Sequence, residues 1–310
     1  MCRLVQLAGS HEVMSLRSRI EGRRGRLTEV FAPRVLGVLG GLDPLSAVPA
    51  GVVLLCRTRP RSDLEIAPQR IARREPPDRK VLTAKVHKIT QPTTDVTVVA
   101  LRFPTGVRAR FRAGQYLTVT LPGGDTRNYS MANPPHRNDG VQLHVRRVPG
   151  GRFSGEILDR LTKGDTLQVE LPFGEFCLDT QTRRPVLLLA TGTGFAPVRS
   201  IVEDQVERGD DRPLHPYWGA RRQPDLYLAD AAARWADTHD WFSCTPVLSD
   251  PDPGWPGRTG HLQHAVLADV TDLRGHDVYA CGNPAMTAAA HDAFTGRAGL
   301  PPERLWRTAG

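Results

Sequence analysis

Pro185-Val-Leu-Leu-Leu-Ala-Thr-Gly-Thr-Gly-Phe-Ala-Pro197 joins a short apolar run to a glycine turn, and the amphipathic stretch Ala196 to Glu207 follows directly. An uninterrupted run of that length predicts a parallel strand buried on both faces, since a strand with one wet face would alternate. Downstream, Pro213 to Trp218, Trp241 to Leu248 and Asp277 to Cys281 read as further strands. Ala229 to Thr238 and Ala285 to Arg297 read as helices between them. Strand and helix in alternation predict an α/β domain over residues 182–310, a doubly wound parallel sheet of the nucleotide-binding kind.

Upstream the texture differs. Lys85 to Ile89, Asp95 to Phe103, Gln115 to Leu121, Gln142 to Val148 and Thr166 to Leu171 are short, rich in β-branched residues and separated by Gly/Pro turns such as Pro122-Gly-Gly-Asp125. That spacing predicts an antiparallel β-barrel over residues 79–181, interrupted by one helix near Ser154 to Leu161. Residues 1–78 form a separate leader. Its end, Pro68 to Lys80, is charged and Pro-rich in the manner of a linker.

The charge is lopsided. Lys and Arg exceed Asp and Glu by 41 to 33, and residues 1–80 hold 15 of the basic and only 8 of the acidic residues. The body is therefore nearly neutral, and the excess belongs to the leader. With Phe31 the one aromatic residue of the first 80, too few to stack bases, the leader reads as a solvated Arg-rich segment and no nucleic-acid partner is expected. No run of 18 apolar residues exists, so no membrane span is expected either. The first residues lack the apolar core of a secretory signal. Cys2, Cys56, Cys177, Cys244 and Cys281 are odd in number and scattered, with no CxxC pair. That excludes a disulfide framework or a zinc site and suits a cytoplasmic protein.

Four motifs carry chemistry. In Gly192-Thr-Gly-Phe-Ala-Pro197, glycines let backbone N–H groups approach a pyrophosphate at a helix start, although a tight turn alone would explain them. In Arg127-Asn-Tyr-Ser130, an Arg for a phosphate, a Tyr for a flat ring and a Ser hydroxyl stand on one strand; an ordinary barrel strand would explain them as well. Gly150-Gly-Arg-Phe-Ser154 precedes the barrel helix, with Ser154 its expected N-cap and its free N–H groups a second phosphate site. Tyr279-Ala-Cys-Gly-Asn-Pro284 ends a strand where open α/β sheets place ligands; Cys281 is a candidate catalytic residue there, although a lone Cys after an apolar strand is more often a small buried residue than a reactive one.

In this order, over residues 80–300, the motifs resemble the ferredoxin-NADP reductase superfamily. Within it they look most like the iron–sulfur flavoprotein reductases: oxygenase reductase components and the CDP-6-deoxyglucoseen reductases. Ala113-Gly-Gln-Tyr116, and the stretch from Tyr217-Trp-Gly-Ala-Arg221 to Asp225-Leu-Tyr227, fit as well. The resemblance implies FAD and a nicotinamide dinucleotide. Arg127 would pair with a flavin phosphate, Tyr129 would pack on the isoalloxazine and Ser130 would hydrogen-bond flavin N5. His144, Val145 and Arg146 would line the flavin's adenosine or ribityl side, and Gly151 and Ser154 would bind pyrophosphate. Gly192, Thr193, Gly194 and Pro197 would hold the dinucleotide, with Cys281 and Gly282 near the nicotinamide. Arg221 and Arg222 could receive a 2′-phosphate, but the Asp225-Leu-Tyr227 context resembles the NADH-using members, so NADH is expected ahead of NADPH.

One departure is clear. Such relatives carry a [2Fe–2S] domain held by C-x4-C-x2-C and a distant fourth Cys. Here Leu54-Leu-Cys56 to Leu64 resembles the surroundings of the fourth ligand, while Arg23-Arg-Gly-Arg26 stands where the Cys-rich loop would be. The expectation is a degenerate ferredoxin-like leader, no bound cluster and no metal ligands. Trp306 could lie beside the flavin or belong to a frayed tail. The expected function is an FAD-dependent NAD(P)H oxidoreductase that passes electrons to a partner protein such as an oxygenase or a deoxysugar dehydratase component. Its rivals are an FAD-binding remnant and a protein-binding module.

Overall fold

The computed structural model describes residues 4–6, 52–54, 79–148 and 150–308, and the chain divides into two units, Met1–Pro76 and Pro77–Gly310. In the first, β1 (Leu4–Gln6) pairs antiparallel with β2 (Val52–Leu54), Val5 opposite Val53. The expectations for Cys2, Cys56, the Arg-rich loop, the linker and the iron–sulfur site fall outside the described residues.

The second unit contains two sheets. The antiparallel one is built from β3 (Lys80–Thr90), β4 (Val96–Arg102), β5 (Tyr116–Thr120), β6 (Thr126–Ser130), β7 (Gly140–Arg146) and β8 (Thr166–Phe173). Its strand order is β6-β5-β8-β3-β4-β7. The side chains alternate. Ala84, Val86, Leu117, Val119, Leu143, Val145 and Val169 fill one interior while their neighbours face outward, as a period of two requires. The sheet curls until its edge strands meet, where Met131 bridges Leu143, so the barrel is nearly closed. Between β7 and β8 the expected helix is a six-residue turn of wide, π-type winding, Arg152–Ile157. Its N-cap is Gly151, not Ser154. The Ser154 hydroxyl instead accepts the Val148 N–H at 3.2 Å and closes the preceding loop.

The parallel sheet comprises β9 (Val186–Thr191), β10 (Leu214–Ala220), β11 (Thr245–Leu248), β12 (Arg258–Thr259), β13 (Asp277–Cys281) and β14 (Leu305–Arg307). Its order is β12-β11-β10-β9-β13-β14, so the chain reverses direction on either side of β9. Helices α1 (Phe195–Arg208) and α2 (Ala229–Thr238) cover one face; α3 (Leu262–Asp269) and α4 (Pro284–Arg297) cover the other. Both faces are therefore dry, which is why β9 reads as a solid apolar run: Leu188 and Ala190 pack toward α1, Leu187 and Leu189 toward α4.

At the N-terminal end of these strands, buried Arg212 donates to Asp277 at 2.6 Å and to the carbonyls of Arg184 and Asp179. Removing one member of such a buried ion pair costs about 3–5 kcal/mol. The opposite, C-terminal rim is the end left for ligands. Trp306 is not frayed: it sits in β14 and stacks on Tyr279 at 4.5 Å and 8°. Among the described residues no helix is long and apolar enough to cross a membrane.

Candidate active site

On the barrel, β6 and β7 run side by side but form no ladder beyond the Met131–Leu143 bridge. Continuing that antiparallel register puts Ser130 opposite His144 and Tyr129 opposite Val145, across a slot with no strand in it. Arg127 is exposed, and its guanidinium donates to the Thr126 carbonyl at 2.8 Å. Tyr129 leans on Phe153, ring centroids 5.2 Å apart. Burial pushes its phenol up to about 12 against the pull of the Arg127 charge, so it stays protonated. Gly151 caps the turn that carries Phe153, and a Cβ there would collide with the Ser154 hydroxyl and the Val148 carbonyl. An exposed cation, a half-buried aromatic face and a glycine turn along an open edge fit an elongated, phosphate-bearing, flat-ringed ligand such as FAD.

On the parallel sheet, Gly192, Thr193 and Gly194 make a single turn between β9 and α1. Gly192 has φ of +53°, a region that favours glycine. A Cβ on Gly194 would lie 2.6 Å from the Cys281 carbonyl oxygen, and one on Gly282, at φ +123°, would collide with the Thr191 hydroxyl. The two loops at the reversal point are thus pressed together by glycine contacts, and the Thr191 hydroxyl ties them by accepting the Asn283 N–H at 2.9 Å. Pro197 is buried in the first turn of α1, where its missing N–H leaves no bond unmade. Cys281 is buried, and burial raises its thiol to about 11 in spite of a hydrogen bond with Thr308. It is therefore a neutral thiol at pH 7, not a thiolate nucleophile. At the end of β10, Arg221 pairs with Asp250 at 3.1 Å and Arg222 approaches the same carboxylate oxygen at 3.6 Å.

Two regions of the chain match known domain families: residues 83–177 the oxidoreductase FAD-binding domain, and 188–292 the oxidoreductase NAD-binding domain. A Comamonas terephthalate 1,2-dioxygenase reductase component is 42% identical over 242 residues, covering 78% of this chain and 72% of that protein. The CDP-6-deoxy-L-threo-D-glycero-4-hexulose-3-dehydrase reductase of Yersinia pseudotuberculosis is 36% identical over 247 residues, 80% and 74% of the two chains. The Amycolatopsis cytochrome P450 reductase GcoB superposes with a TM-score of 0.71 at 35% identity, over 83% of this chain and 78% of that one. The chain belongs to the ferredoxin-NADP reductase superfamily. It is an NAD(P)H-dependent flavin oxidoreductase with an FAD-binding barrel and an NAD-binding parallel sheet.

As a ferredoxin-NADP reductase relative, the chain brings most of the residues singled out from its sequence to the two open rims. Arg127, Tyr129, Ser130 and Gly151 border the barrel slot; Gly192, Thr193, Gly194, Cys281 and Gly282 gather where the parallel sheet reverses. Three depart from the expected pattern. Val145 points into the barrel core, fully buried, so only its backbone can meet a ligand. Arg146 is held by Asp95 at 2.9 Å, its guanidinium beside Gly192. His144 turns toward the NAD-binding half, its Nδ1 2.8 Å from the Tyr227 hydroxyl. Burial, then the nearby Arg199 charge, lowers its pKa to about 3, so the ring is neutral.

Sequence reading overlooked Thr191, Trp218 and Asp250. Trp218 donates its indole N–H to the Gly192 carbonyl at 3.1 Å, and it stacks on Phe195 at 4.0 Å. Motif order gave no signal for them, because each acts through a partner 26 or more residues away.

Proposed function

We propose that this reductase takes its electrons from NADH in preference to NADPH and delivers them to a separate acceptor protein, an oxygenase or dehydratase component. The observation that carries the reading is the coexistence, in one unit, of the open slot beside Arg127 and Tyr129 with the glycine-packed rim at Gly192, Gly194 and Gly282. FAD held there would supply the chemistry that converts a two-electron hydride donor into a source of single electrons. Arg127 would pair with a phosphate, Tyr129 would cover one side of the ring system and Ser130 would offer its hydroxyl. Gly151, with Ser154 closing its loop, would leave the backbone accessible to pyrophosphate. Gly192, Thr193 and Gly194 would admit the second dinucleotide's phosphates, Pro197 would start the helix beneath them, and Cys281 and Gly282 would border the nicotinamide.

Preference for NADH is supported by Asp250, whose carboxylate already occupies both arginines that a 2′-phosphate would need. Delivery to a protein acceptor is supported by relatives named as reductases of a dioxygenase, a hexulose dehydrase and a cytochrome P450. These 310 residues contain no C-x4-C-x2-C run, so we hold that electrons leave without a cluster bound by the leader. An odd number of scattered cysteines with no CxxC motif supports a cytoplasmic site of action. Purified protein should absorb near ~450 nm and bleach with NADH under argon, carry no stoichiometric iron and sulfide, and reduce an added [2Fe–2S] or haem acceptor. A colourless preparation that takes up no FAD would defeat the reading.

A further inference from the structure

A chain of rings connects the barrel to the glycine turn. On β7, Leu143 and Val145 face the barrel core, so Gln142, His144 and Arg146 face the NAD-binding half. Gln142 accepts a hydrogen bond from Arg199 of α1, and Arg146 lies beside Gly192. Between them stands His144, only 4% exposed, hydrogen-bonded to Tyr227. Tyr227 meets Trp218 edge-on, centroids 5.5 Å apart at 82°, and Trp218 donates to the Gly192 carbonyl while stacking on Phe195. Two hydrogen bonds and three ring contacts thus run from a barrel strand to the turn that opens α1.

The link is dry and uncharged. Burial pushes the Tyr227 phenol well above its ordinary range and keeps the imidazole neutral. A neutral hydrogen bond away from water is directional, and it does not switch near neutral pH. Among the described residues the buried His144 Nε2 has no hydrogen-bond partner, so among them the ring's hydrogen-bonded orientation rests on Tyr227.

Resting on the reading of this chain as a flavin-dependent reductase, we propose that His144, Tyr227 and Trp218 are positioning residues that hold the glycine turn at one distance from β7 and so set the alignment of the two ligand sites. Small errors in such alignment are costly to a transfer between two bound rings, on the order of 100-fold for 1 Å.

Tyr227→Phe tests this in the holoenzyme, because it deletes one hydroxyl and keeps the ring. Three quantities are measured: FAD content, NAD+ affinity by calorimetry, and the anaerobic single-turnover rate of flavin bleaching at saturating NADH. We expect FAD content and NAD+ affinity within about twofold of wild type and a bleaching rate lower by about tenfold, with a weakened charge-transfer absorbance. His144→Gln should lower the rate similarly, and the double variant should fall no further than the worse single one. A Tyr227→Phe rate within twofold of wild type would overturn the proposal. So would a loss of NAD+ affinity as large as the loss of rate, which would mark a binding role. A wild-type protein that NADH does not bleach would overturn the reductase reading itself, and the proposal with it. Should Tyr227→Phe fail to fold, His144→Gln carries the same test.

Discussion

The two rims are made of different material. The barrel slot presents side chains: an exposed guanidinium, a half-buried phenol and a hydroxyl on an edge that lacks a strand neighbour. The parallel-sheet rim presents backbone: Gly194 and Gly282 allow two loops to touch, and Thr191 stitches them. A site made of side chains loses affinity in steps, one contact at a time. A site made of close-packed backbone fails as a whole when one Cβ intrudes.

That contrast can be broken most sharply at Gly282. Gly282→Val adds a branched side chain at φ +123° against Thr191, and we expect kcat/KM for NADH to fall by about 100-fold or more while FAD content holds. Loss of FAD in parallel would erase the distinction between the rims. Arg127→Ala is the opposite case. Removing one charge-assisted contact should weaken FAD binding by about 10- to 100-fold and leave NAD+ affinity unchanged, as titration of the apoprotein would read.

Asp250→Asn releases Arg221 and Arg222, and the NADPH-to-NADH ratio of kcat/KM should rise by about tenfold. An unchanged ratio would separate those arginines from cofactor choice. His144 supplies a pH signature. Its folded pKa lies near 3, below the ordinary 6.5, so the unfolded chain takes up a proton first as pH falls. The stability due to the neutral buried ring is present above pH 6.5 and is lost as pH drops toward 3. The melting temperature of wild type should therefore fall more steeply across that window than that of His144→Gln. The smallest effect belongs to Cys281. With a thiol near 11, Cys281→Ala should change kcat by no more than about threefold, and no inflection from this group should appear in the rate between pH 6 and 9. A larger loss would restore a direct chemical role.

What the sequence reveals depends on how local each cause is. Burial on both faces writes itself into β9 as consecutive Leu residues, and barrel strands announce themselves by alternation, so the fold class is legible. Helix α3 escapes, because in only eight residues its apolar face, Leu262, Ala265 and Val266, makes a single i, i+3, i+4 repeat. Strand β14 escapes because three residues become a strand only through Tyr279 and its neighbours on β13. Ser154 looks like an N-cap from its position before a helix, yet the chain winds more widely there and the hydroxyl closes a loop instead. Tyr227 stands in a motif and still betrays nothing of its role, since its hydrogen-bond partner is 83 residues away.

Strand β9 pairs with both neighbours at once: Val186 lies opposite Leu214 on one side and Asp277 on the other, and Ala190 opposite Trp218 and Cys281. The sheet is consequently a ruler. Trp218 and Cys281 are separated by two inter-strand spacings, roughly 10 Å, a distance set by backbone hydrogen bonds rather than by any side chain on the rim. Since the main-chain pairing of β9 with β10 and β13 runs along the whole of these strands, the interval does not rest on the side chains of the rim. Specificity can thus be rewritten at the edge while the gauge beneath it stays the same.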